Sequence, residues 1–86
     1  MPGYSIAETK TPSEFVGKSL RQLALRNTLR VQLIAIRRAG KEMNIMPSAD
    51  DVLTQDDIMI LLGADGDLDR IREIVRQPLR TSALPR

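Results

Sequence analysis

Arg37 and Arg38, at the end of the apolar run Val31 to Ile36, are the first residues in this sequence whose type and spacing suggest chemistry. Guanidinium groups make forked, charge-assisted hydrogen bonds to phosphate and carboxylate. Successive residues of a strand face opposite ways, so only one of the two can enter a given cleft. The plain alternative is that both pair with Glu42, Asp50 or Asp51 and keep a strand end soluble. A few residues on, Asn44 offers a donor and an acceptor to the edge of a base. Ile34, Ile45 and Pro47 offer an apolar floor beneath it, and Ile36 adjoins them. Here the alternative is a hairpin with one exposed amide and three core residues.

Two acidic pairs, Asp50-Asp51 and Asp56-Asp57, raise a metal reading, because paired carboxylates suit Ca²⁺ or Mg²⁺. They lack the loop spacing of a metal site and flank strands as turn formers do. Gly17-Lys18-Ser19 looks like the end of a phosphate-binding loop, but the upstream glycine and the buried strand are missing. No Ser-His or Cys-His constellation is present and the acidic pairs read as turn formers, so binding rather than catalysis is expected.

These residues need elements to hold them. Val31 to Asp51 reads as a β-hairpin, two apolar segments around the turn Ala39-Gly40-Lys41-Glu42. In its first strand Val31, Leu33 and Ala35 are expected on one face, with Ile34 and Ile36 on the other. Apolar residues on both faces imply burial on both, by helices on one side and a second subunit on the other. Tyr4 to Thr9 alternates weakly and predicts a short strand. Ser19 can cap a helix over Leu20 to Leu25, and Arg26 to Arg30 connects it to the hairpin. Ile58 to Leu62 predicts a strand buried on both faces and ended by Gly63. Asp65-Gly66-Asp67 opens a helix with Leu68, Ile71, Ile74 and Val75 on one face, acids first and arginines last, stopped by Pro78. Residues 77–86 predict a frayed tail. The order β-α-β-β-β-α predicts an α+β domain over 4–76, with helices covering a mixed or antiparallel sheet.

Composition narrows the classes. The chain has 86 residues, net charge +2 and ten arginines, with no cysteine or histidine. That removes thiol chemistry, disulfides, the usual zinc sites and the commonest general base. With Tyr4 and Phe15 the only aromatic residues, base stacking on single strands is unsupported, and weak nucleic-acid binding through the arginines would betray itself by steep salt dependence. No apolar run approaches the roughly 20 residues of a membrane span, so no direct membrane insertion is expected. A domain this small gains stability from dimerisation.

Four blocks together carry a resemblance. Phe15-Val16-Gly17-Lys18-Ser19-Leu20-Arg21-Gln22-Leu23 is similar to the opening of the TrkA C-terminal (RCK_C) domain family. Val31 to Arg38 follows, then Pro47 with Ala49-Asp50-Asp51-Val52-Leu53, then Asp56 to Gly63, in that family's order and spacing. The resemblance spans about Tyr4 to Val75 and is strongest to KtrA-type regulators of potassium uptake. It implies a cytoplasmic regulatory domain that homodimerises, has no resident cofactor, and binds cyclic di-AMP in a cleft between subunits through Ile34, Ile36, Arg37, Arg38, Asn44, Ile45 and Pro47. It also implies attachment, through a longer protein, to a membrane potassium channel or transporter. A purely structural dimerisation module, or a domain of another cation or anion transporter, are the alternatives. The chain has neither a G-x-G-x-x-G motif nor the length of a Rossmann unit, so a C-terminal piece of a longer protein is expected, with Met1-Pro2-Gly3 an added start. One departure stands out: Leu29 and Arg30 occupy places where many members carry an aromatic residue and a glycine. Arg30 takes a positive φ less cheaply than glycine, which predicts a remodelled connection.

Overall fold

The computed structural model describes residues 3–76. In chain order the elements are β1 (Tyr4–Lys10), a 3-10 turn (Ser13–Phe15), α1 (Leu20–Leu23), α2 (Leu25–Thr28), β2 (Gln32–Arg37), β3 (Asn44–Ile45), β4 (Ile58–Ala64) and α3 (Asp65–Arg76). The four strands form one sheet in the order β1-β4-β2-β3, with every neighbouring pair antiparallel. The α+β arrangement therefore agrees with the sequence reading, and its sheet is antiparallel rather than mixed. The expected tail, residues 77–86, lies outside the described residues.

β4 sits inside the sheet, and its period-two pattern divides the molecule. Met59 and Leu61 are fully buried, whereas Ile58 and Ile60 are half-buried and Leu62 is exposed. The buried side meets α3, whose Leu68 and Ile71 are sealed, together with Leu53, Phe15, Leu25 and Val31. Each such side chain, fully buried, contributes about 1.5–3 kcal/mol. Gly63 does not end this strand, as the sequence suggested; the strand runs through it. A Cβ there would stand 2.9 Å from Cγ1 of buried Val31, so the position requires the smallest residue.

The helix expected over Leu20 to Leu25 is broken. Ser19 caps it as predicted: its hydroxyl accepts from Gln22 N–H at 3.1 Å, and Gln22 Oε1 accepts from Ser19 N–H at 2.9 Å. Ala24 then takes the left-handed conformation (φ 46, ψ 52), ending α1 and starting α2. Thr28 Oγ1, 3.1 Å from the carbonyls of both Leu23 and Ala24, helps satisfy the backbone groups the break exposes. Residues 26–28, expected as connection, are thus helical.

β2 also departs from simple alternation. Leu33 pairs with Leu61, Ala35 with Ile60 and Ile36 with Met59, which leaves Ile34 in a bulge. The extra residue moves Ile36 to the helix side with Leu33, and Ala35 to the outer side with Gln32 and Arg37. On that outer side Tyr4, Ile6, Ile45 and Leu62 are all exposed. The face that the sequence reading assigned to burial on both sides is therefore open in the single chain. None of the helices is long and apolar enough to cross a membrane among the described residues.

Candidate functional site

The two arginines leave the end of β2 in opposite directions, as strand geometry requires. Arg37 pairs with Ile58 across the ladder and so lies on the outer face. It reaches past β4 to Glu8 on β1, donating from NH2 to Oε1 at 2.7 Å and from NH1 to Oε2 at 3.3 Å. This fork holds the Glu8 carboxyl below its ordinary range, by hydrogen bonding first and by charge second, against slight desolvation. The same contacts raise the Arg37 value. Both groups remain in solvent, so an incoming anion can compete for the guanidinium.

Arg38 has a different task. Its Nε donates to both oxygens of Asp57, at 3.2 and 3.3 Å, and its NH2 donates to the Val52 carbonyl at 2.8 Å. Asp57 is only 2% exposed, and its Oδ2 also accepts from Thr54 N–H at 2.8 Å. Thr11 bonds the Asp57 carbonyl twice, through N–H at 3.2 Å and Oγ1 at 2.9 Å. Arg38 therefore ties the segment before β4 to the end of β2. The partners suggested by sequence, Glu42, Asp50 and Asp51, are replaced by Glu8 and Asp57.

The remaining expected residues divide along the same line. Asn44 pairs with Ile36 on the helix side, and its Nδ2 donates to Asp51 Oδ2 at 3.0 Å. The Asp51 carboxyl is lowered chiefly by that bond, then by Ser48 N–H at 2.8 Å, with a smaller attraction from Arg38 and an opposing desolvation. Asp51 and Asp57 thus organise turns, and no cluster of three or more His, Cys, Asp or Glu is arranged for a metal among the described residues. Ile45 lies on the outer face opposite Ala35, 68% exposed and diagonal to Arg37. Met46 follows in a left-handed conformation (φ 60), its N–H bonded to the Ile34 carbonyl at 3.1 Å, and leads into half-buried Pro47. Ile36 is fully buried and has no surface to offer a ligand; it supports β2 from beneath.

The structure accordingly brings Arg37 and Ile45 together on the outer face, with Ile34 and Pro47 beside the β2–β3 edge. It separates them from Arg38, Ile36 and Asn44. Glu8 belongs to this site and was missed. Its signal was the outer-face series Tyr4, Ile6, Glu8 in β1, which places a carboxylate on the same surface as Arg37.

Known proteins share this fold. A family model described as the TrkA-C domain matches residues 5–76. The Ktr system potassium uptake protein C of Bacillus subtilis (strain 168) is 33% identical over 72 residues, covering 84% of this chain and 32% of that protein. The chain thus spans about a third of that relative's length. Among solved structures, the RCK C domain of the potassium transport protein KtrA, in complex with cyclic diadenosine monophosphate, is 37% identical with a TM-score of 0.74, over 81% of each chain. The RCK_C domain dimer of BusR from S. agalactiae, in complex with c-di-AMP, shares the fold at 22% identity and TM-score 0.73, over 86% of this chain and 93% of that one. From its fold, its four sequence blocks and these matches, the chain belongs to the TrkA-C domain family, the RCK_C domains.

Proposed function

We propose that this chain is the ligand-binding and dimerisation domain of a potassium-uptake regulator, and that two copies bind one cyclic di-AMP between them. The observation that carries this reading is the 37% identity to a KtrA domain solved with that nucleotide. The open outer face supports it, because Ile45, diagonal to Arg37, is exposed in the single chain and a second copy would cover apolar surface there. A homodimer and a cyclic dinucleotide share two-fold symmetry, so each Arg37 would meet one phosphate, exchanging Glu8 for the ligand. Ile45, Ile34 and Pro47 would lie under the adenine. Asn44, on the opposite face and bonded to Asp51, steadies the turn after β3 instead of touching the ligand. Arg38 serves by holding the loop rather than by touching the ligand.

Such a domain acts without catalysis and in the cytoplasm. The nucleotide can bias the attached transport protein only through unequal affinity for its two arrangements. Calorimetric titration of the chain with cyclic di-AMP tests this. Saturable heat and a raised melting temperature are expected, both weakened by Arg37→Ala. No heat and no thermal shift at large excess would remove the ligand from the proposal. A melting temperature that rises with protein concentration but ignores the nucleotide would instead favour a purely structural dimerisation module.

A further inference from the structure

Of the seven arginines with described side chains, five bond to carboxylates: Arg21 to Asp50, Arg37 to Glu8, Arg38 to Asp57, Arg70 to Asp67 and Arg72 to Asp69. The other two, Arg26 and Arg30, have no such partner among the described residues, and both line the same cleft. Its volume is about 300 Å³, and Tyr4, Val31, Gln32, Leu62 and Gly63 complete its wall. The side chains of Tyr4 and Gln32 likewise make no hydrogen bond among the described residues. Asp65, just beyond β4, is engaged by the Ser5 hydroxyl at 2.7 Å.

Arg30 is placed there at a cost. It follows the last turn of α2 with φ 61, in the left-handed region where helix ends favour glycine. Its conformation turns the chain into β2, letting Val31 N–H approach the Leu25 carbonyl at 3.4 Å. A side chain in this position costs stability that glycine would spare. The fold makes no use of the guanidinium: it bonds to nothing described.

We infer that Arg26 and Arg30 form a second anion site, built for the dianionic head of a phosphate monoester. Two unpaired guanidiniums match two charges, which a phosphate monoester carries above its second pKa near about 6. A carboxylate or a phosphodiester brings only one. Tyr4 and Gln32 add hydrogen bonds to the phosphate or its ester oxygen, and Leu62 contacts the organic part. The site lies at the opposite end of β2 from Arg37, about 17 Å away at strand spacing, so it is separate from the cyclic di-AMP reading. A soluble phosphate monoester and a phosphatidic acid headgroup share this chemistry.

The test is titration of the chain, followed residue by residue by amide NMR shifts, with glycerol 3-phosphate, adenosine 5′-monophosphate and cyclic AMP. Both monoesters are expected to shift Gln32 and Gly63, and to bind more weakly at about pH 5 than at about pH 7.5. Cyclic AMP, a monoanionic diester, should bind about tenfold more weakly or not at all. Arg30→Gly should lose the interaction while melting no lower than the parent, which separates lost binding from lost folding. Arg26→Gln should weaken it about tenfold, and cyclic di-AMP binding, measured alongside, should survive both changes. Cosedimentation with phosphatidic acid vesicles, in preference to vesicles of a neutral lipid, would assign the headgroup as the source; monoester binding without cosedimentation assigns a soluble ligand. Equal binding of cyclic AMP, or no saturable shift at about 10 mM monoester, would overturn the inference.

Discussion

The two sides of the sheet treat adjacent arginines in opposite ways. On the helix side Arg38 meets an almost fully buried carboxylate and closes a loop. On the outer side Arg37 meets a solvent-exposed carboxylate across an open apolar surface. The first pairing cannot be exchanged without leaving Asp57 desolvated and alone, whereas the second can be traded for another anion. Neighbouring residues of one type therefore divide into a structural fastener and an exchangeable surface pair, and burial of the partner decides which is which.

The strongest way to break this contrast is Arg38→Met. It should destabilise the chain by about 3 kcal/mol, read as a lower urea midpoint at unchanged slope, because a buried carboxylate loses its counter-charge. A loss no greater than that of Arg37→Ala would erase the distinction. Gly63→Ala probes the packing on the same side; its methyl would press on Val31, and about 2 kcal/mol of stability should go. On the outer face, Ile45→Ser should leave the melting temperature of dilute protein within about a degree, since the side chain is largely exposed. It should nevertheless abolish any dependence of melting on protein concentration.

The smallest effect is that of acid. Glu8 and Asp51 both sit below their ordinary range when folded. As pH falls, the unfolded chain takes up these protons first, so the stability they add at neutral pH is lost as the pH drops through their folded values. Asn44→Leu should flatten this acid-side slope slightly, because it removes the main hydrogen bond on Asp51, while Arg37→Ala removes the Glu8 share. A denaturation series between neutral and strongly acid pH reads both.

Much of this contrast was legible before the structure. Alternation alone placed Arg37 and Arg38 on opposite sides, and the stripe of Leu68, Ile71, Ile74 and Val75 marked the helix over the core. Other features depend on contacts distant in sequence. Which carboxylate each arginine meets is settled by strand pairing: Glu8 lies 29 positions from Arg37, and Asp57 lies 19 from Arg38. The bulge at Ile34 has no local signature, since neither glycine nor proline marks it. It moved Ile36 from candidate ligand contact to sealed core. Ala24 shows the same limit, an ordinary helix former held left-handed where α1 must turn into α2. At Arg30 the departure from glycine was visible and pointed to a remodelled link. The chain instead keeps the left-handed turn with a residue ill suited to it, so the constraint comes from the β2–β4 junction rather than from the local sequence.

The sheet order also bears on how the molecule is made. β1 is the earliest strand in the chain, yet its partner is β4, with Tyr4 opposite Ala64. Serine 5 and aspartate 65, which fasten that junction, are 60 positions apart. On the ribosome β1 must therefore wait, its ladder groups unpaired, until nearly all of the described chain has been synthesised. At about 5–20 residues per second this leaves a window of several seconds. The β2–β3 hairpin can close within microseconds of leaving the exit tunnel, but the first strand cannot take its place until the last one arrives.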